Sequence, residues 1–158
     1  MATNDPLRKQ LVELLQMKGA HLDFDAAVKD FPPALYGAKP AGAQHTPWQL
    51  LEHLRIAQED ILDFSLNPNY VEKKWPDEYW PATEAPPAAS AWEESAAQFR
   101  ADLKAMEKLA ADESNDLMAK LPHGTGQTLL REILLVADHN SYHLGQLVYA
   151  RKTLEAGQ

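Results

Sequence analysis

The chain has 158 residues, 45% of them hydrophobic and 24% charged, a composition that suits a globular fold with one core. Asp and Glu number 23 against 15 Lys and Arg, for a formal net charge of −8, which disfavours nucleic-acid or anionic-membrane surfaces built on clustered cations. There is no cysteine, so disulfides, thiolate nucleophiles and cysteine-based zinc sites are excluded, and a metal site has to rest on histidine and carboxylate.

The opening MATNDPLRKQ has neither the basic nor the apolar region of a secretory signal, and no apolar run approaches the roughly 20 residues of a membrane span. The expectation is a cytoplasmic protein of one domain, residues 1–158. Four long segments have helical periodicity, and nothing alternates as a strand. The first runs from about Pro6 to Gly19. Asp5 caps it, Pro6 takes the first turn, and Leu7, Leu11, Leu14 and Leu15 form its stripe. Between residues 20 and 45 there is room for a short extra helix near Asp23–Asp30, ended by Phe31-Pro32-Pro33.

The second long segment runs from about Pro47 to Leu66. Thr46-Pro47-Trp48-Gln49 reads as a capping box, and Leu50, Leu51, Leu54, Ala57, Gln58, Ile61 and Leu62 form the core stripe. Residues 67–89 hold five prolines and the run WPDEYWP, which predicts an ordered, non-helical crossover whose aromatics pack over one end of the helices. The third segment opens on Ser90-Ala91-Trp92-Glu93, a second predicted capping box. It places Trp92, Ala96, Phe99, Leu103 and Met106 at spacings of four and three, a bundle seam. Glu93, Glu94, Asp102, Glu107 and Asp112 read as its solvated face. The fourth, from about Gly126 to Leu154, is the most apolar, with Leu129, Ile133, Val136, Ala137, Leu144, Leu147 and Val148 on one broad face. The sum is an all-α fold.

Six histidines occur, and only His139 and His143 form a local motif. Four residues apart on a helix, they project from one face a turn apart and can converge on one ion. Val136, His143 and Glu132 share a narrow sector bordering the apolar stripe at Leu129 and Leu147, with His139 and Gln146 just outside it. His53 does the same on the second segment, flanking Leu50, Ala57 and Phe64, with Asp60 two turns further on. Two helices thus present imidazole from the rim of the core, where bundles build metal sites. Taken singly, a histidine beside an apolar face is more often an ordinary half-buried residue. His21, His45 and His123 lack helical partners and read as structural or solvent-facing. Gly145, inside the fourth segment, suggests a close approach there, by a packed helix sooner than by a ligand.

The stretches His45-Thr-Pro-Trp-Gln-Leu-Leu-Glu-His53 and Ala137-Asp-His139-Asn-Ser-Tyr-His143-Leu-Gly-Gln146, with Trp75–Pro81 and Pro122–Glu132, resemble the DinB/YfiT-like superfamily of metalloenzymes. The resemblance implies a four-helix bundle of up-down-down-up order with a long crossover. It also implies a metal on three histidines, which fall here at His53, His139 and His143. Characterised members include transferases and isomerases that use mycothiol or bacillithiol, and several are homodimers, so a small-molecule substrate, a low-molecular-weight thiol and a dimer are expected.

Three neutral imidazoles leave a divalent ion with an open position, the mark of a catalytic site, and they suit Zn, Ni or Fe. Glu132, Asp60 and Gln146 are the candidates to orient a ligand or to move a proton from behind the ligands. Two readings stand. One is a metal-dependent transferase or hydrolase acting on a small molecule; the alternative is a non-catalytic metal- or ligand-binding bundle stapled by its ion.

Overall fold

A computed structural model describes residues 5–157. Five α-helices follow in order: α1 Pro6–Leu15, α2 Phe24–Val28, α3 Pro47–Leu66, α4 Ala91–Ala111 and α5 Leu129–Ala156, with a 3-10 turn at Pro33–Leu35. Among the described residues there is no strand, only an isolated bridge between Lys120 and Thr128.

The direction of each long helix follows from what it touches. Glu52 meets Ser95 and Gln58 meets the Phe99 carbonyl, so α3 and α4 run parallel. His53 meets His143 while Gln58 meets Asn140, so α5 runs against α3. Arg8 reaches Ala110 and Gln16 reaches Glu107, so α1 runs against α4. The order is therefore up-down-down-up, and residues 67–90 form the long crossover that the parallel pair demands.

Local chemistry sets the helix starts. Asp5 accepts from the Leu7 N–H ahead of Pro6. At α3 the capping box forms as the sequence predicts, Thr46 accepting from Gln49 N–H and Gln49 reaching back to Thr46 N–H. At α4 it does not: Ser90 has helical dihedrals (φ −84°, ψ −15°) and its side chain caps nothing. A cap needs extended backbone to turn its oxygen onto the first turn. The α5 helix starts three residues later than expected, where Thr128 accepts from Arg131 N–H. The α1 helix stops at Leu15 instead of Gly19, because Met17 adopts a left-handed φ of 57°.

The core falls into two apolar clusters. One holds Phe24, Phe31, Trp48, Leu51, Leu54, Trp92, Phe99, Leu144 and Leu147; the other holds Leu11, Leu15, Ile61, Met106, Ala110, Ile133 and Val136. Between their levels on α3 and α5, buried Gln58 and Asn140 hydrogen-bond each other at 2.8 Å. Two expectations fail here. Leu7 and Leu14 stay exposed while Arg8 is buried, because α1 packs on a narrower face than its leucines outline. Asp102 and Glu107 are buried, not solvated: Gln98 donates to one Asp102 oxygen, and Gln16 and Lys104 reach Glu107. Burial raises the pKa of Asp102.

Candidate metal centre

The α3 and α5 helices meet along a seam, and the seam brings His53, His139 and His143 together, one ligand-capable atom of each within 4.8 Å of the others. His53 is buried, and His139 and His143 are half-buried. His53 Nε2 lies 3.1 Å from His143 Nε2 and 3.1 Å from His139 Nε2.

The outer nitrogens set the tautomers. His53 Nδ1 lies 2.8 Å from the Tyr79 carbonyl, which only accepts, so Nδ1 carries the proton and Nε2 is a bare lone pair. His143 Nδ1 donates to Gln146 Oε1 at 2.8 Å, which bares its Nε2 as well. His53 Nε2 can accept one hydrogen bond along its lone pair, yet two ring nitrogens approach it equally. At least one of those contacts holds no proton.

Protonation does not relieve this crowding. Burial drives His53 down to about 4, with the Tyr79 carbonyl working against the shift and His143 and His45 adding to it. Burial takes His139 to about 3, reinforced by His143 and His53. His143 is lowered too, chiefly by burial and against the Gln146 hydrogen bond. The cluster is neutral near pH 7, and the bare Nε2 atoms of His53 and His143 face each other with His139 Nε2 beside them. Ligands spaced about 2.0–2.1 Å from a divalent ion stand roughly 3.0–3.4 Å apart, so the 3.1 Å spacings fit an ion held by imidazole nitrogens.

The crossover supplies the lid over His53. The Trp80 indole stacks on the His53 ring at 3.8 Å and 2°, and His45 stacks on Trp80 at 3.8 Å and 13°. Trp75, in the same run, stays 70% exposed, so the predicted aromatic packing belongs to Tyr79 and Trp80 alone. The sequence reading put His45 outside the site. Its place becomes visible only once the crossover folds back, since Trp80 lies 35 residues away in the chain. His21 and His123 stay apart: His21 meets the Leu22 carbonyl and Ser141, and His123 meets the Phe64 carbonyl.

Of the three supporting candidates, Gln146 alone touches a cluster histidine. Asp60 and Glu132 lie two turns away on α3 and α5, facing a different cavity. That cavity, about 620 Å³, is lined by Asp60, Glu72, Glu132, Arg131, Tyr70 and Tyr79 among others. Asp60 accepts from the Tyr70 and Tyr79 hydroxyls, and Glu132 pairs with Arg131 at 2.8 Å.

On the other side of the histidines lies a groove of about 680 Å³ between residues 40–45 and the later turns of α5. Gln146, His45, Leu50, Tyr142, Gly145 and Tyr149 line it, and none of its lining residues is Asp, Glu, Lys or Arg. The expectation for Gly145 is thereby corrected. A Cβ there would meet nothing within 4 Å, so the glycine borders open space and not a packed helix. The cluster sits at the waist between an uncharged groove and a charged cavity.

The DinB superfamily model matches residues 16–147, which contain all three histidines. No curated protein and no solved structure matches the chain.

Proposed function

This chain belongs to the DinB superfamily, and from that membership we propose that it is a metal-dependent enzyme whose divalent ion is held by His53, His139 and His143. The observation that supports this is the double approach to His53 Nε2, a bare lone pair with imidazole nitrogens at 3.1 Å on two sides. A divalent ion there supplies an electrophile whose charge neutral imidazoles leave intact, and it acidifies what it binds.

The chain's own residues do the rest. Gln146 and the Tyr79 carbonyl fix two rings by their outer nitrogens. Trp80 covers one face of His53 and keeps water from it. The uncharged groove, walled by Tyr142 and Tyr149, is where a small-molecule substrate with an apolar portion would lie. The reaction we assign is group transfer or hydrolysis on such a molecule, with thiol-dependent transfer the first to examine, in a cytoplasmic homodimer.

Elemental analysis of protein purified without a polyhistidine tag is the test. About one ion per chain is expected, falling below a tenth in His139→Ala and His143→Ala and unchanged in His21→Ala and His123→Ala. Equal metal content in all five proteins would end the reading. The metal-loaded protein is then assayed with mycothiol, bacillithiol and glutathione in parallel; failure with all three, alongside intact metal, moves the assignment to hydrolysis.

A further inference from the structure

We propose that Asp60 is the positioning residue for the His53 arm of the cluster, acting through Tyr79 and the crossover and without touching the ion. The inference rests on the metal reading above and adds to it which residue holds the site together.

The three histidines are oriented by different means. His143 is steadied within its own helix by Gln146, three residues on. His53 is steadied from outside, by the Tyr79 carbonyl at its Nδ1 and the Trp80 indole on its face. Both come from residues 67–90, a stretch with no helix of its own to hold them. Something has to fix that stretch at the height of His53, or its carbonyl would not stay within 2.8 Å.

Asp60 is placed to do this. It is 8% exposed, seven residues beyond His53 on α3, and so about 10 Å further along the same helix. Its Oδ1 accepts from Tyr70 at 3.0 Å and its Oδ2 from Tyr79 at 2.7 Å. One carboxylate thus ties two points of the crossover, and the second is the residue whose carbonyl holds His53. A buried carboxylate is expensive, and a leucine would pack a bundle at lower cost. What leucine cannot do is accept two hydroxyls at once. The chain of contacts runs from Asp60 to the Tyr79 hydroxyl, then from the Tyr79 carbonyl to His53 Nδ1. It fixes both the tautomer and the ring direction of a group that must point Nε2 at its two partners. Partners behind metal-bound histidines are typically worth about 10- to 100-fold in affinity.

The variants are Asp60→Asn, which keeps the shape but not two acceptors, and Tyr79→Phe, which removes only the hydroxyl. Tyr70→Phe is the control, since Tyr70 carries no carbonyl to the cluster. Three readouts apply to the full chain: Zn(II) affinity by competition, the visible bands of the Co(II)-loaded protein, and the ¹⁵N shifts of the His53 ring without metal. Asp60→Asn and Tyr79→Phe are expected to lose about 10-fold or more in Zn(II) affinity, to alter the Co(II) bands, and to release His53 from its single Nδ1–H tautomer. Tyr70→Phe should change affinity less than about threefold, well short of that loss. Wild-type affinity and Co(II) bands in both Asp60→Asn and Tyr79→Phe would overturn the proposal. So would losses that merely follow the melting temperature of the metal-free proteins across all three variants. If the wild type takes up neither Zn(II) nor Co(II), the metal reading fails, and the ring shifts alone decide whether Asp60 positions His53.

Discussion

The seam between α1 and α4 and the seam between α3 and α5 both bury polar groups, and they do so in opposite ways. At the first, the Arg8 guanidinium donates to the carbonyls of Ala110, Asp112 and Asn115, closing the C-terminal end of α4. Acceptors that would otherwise be orphaned meet the side chain with the most donors. At the second, the bare Nε2 atoms of His53 and His143 face each other with no proton between them, and His139 Nε2 crowds His53 at the same distance. A buried polar group that is satisfied holds a fold together; a convergent set that is not satisfied is built for something that comes from outside. The difference marks one seam as scaffold and the other as site.

The sharpest way to break that division is to damage apolar packing and leave the imidazoles alone. Phe99 on α4 is fully buried and stacks on Phe24 at 4.0 Å. Phe99→Ala is expected to cost about 3–5 kcal/mol of unfolding free energy, read from urea denaturation, while the folded protein keeps its metal content. The Gln58 amide would still find the Phe99 carbonyl, because that acceptor is backbone. If metal content fell along with stability, packing and site would be one cooperative unit and the contrast would be lost.

The next effect belongs to the site alone. In the metal-free protein the folded pKa of His53 is about 4 and that of His139 about 3, both below the ordinary value near 6.5 that the unfolded chain recovers. As pH falls through 6.5 the unfolded state takes up protons first, so stability is whole above that point and drains away towards pH 4 and below. From pH 7 to pH 5 the loss is about 2 kcal/mol for each fully independent group, and less where the two share neighbours. Urea midpoints of chelator-treated protein at the two pH values measure it. His139→Gln should flatten the dependence; an unchanged slope in that variant would show that the imidazoles do not carry it.

The same contrast explains what could be read from the chain. The scaffold was legible because it is written in periodicity: Trp92, Ala96, Phe99 and Met106 are all buried as their spacing predicts. The pair His139 and His143 was legible for the same reason, since helical spacing alone puts both on one face. The sequence pointed to Gln146 as a supporting residue, and its three-residue distance from His143 shows why. What periodicity does not encode is contact across the crossover. Tyr79, Trp80 and His45 reach His53 through a proline-rich segment with no repeat to follow. The sequence places Asp60 two turns beyond His53, where it lies, but no spacing rule shows that it accepts from the Tyr79 hydroxyl of the crossover; Glu132 lies as far from His139 and pairs with Arg131 over another cavity. Asp102 and Glu107 were misplaced because charge was taken as a sign of exposure, and buried Arg8 gave no signal in the leucine stripe of its helix. Each instead finds donors or acceptors on a neighbouring element or turn.

The smallest expected effect concerns Gly145, where the two roles compete in one residue. The glycine sits inside α5 without a positive φ, and beyond its own helix turn nothing lies within 4 Å of where a Cβ would be. A helix gains about 0.5–1 kcal/mol when such a glycine becomes alanine, because the unfolded chain has less freedom to lose. Gly145→Ala should therefore raise the urea midpoint slightly and leave metal content untouched, since Gly145 touches none of the three imidazoles. Gly145→Leu should keep the helical gain but push a branched side chain into the groove beside Gln146. If that variant binds metal as the wild type does yet loses turnover of a small-molecule substrate, the glycine is there to hold the groove open, and the site extends along α5 beyond its histidines. If Gly145→Leu turns over substrate normally, the groove is no part of the site, and the charged cavity on the other side of the histidines becomes the place to look.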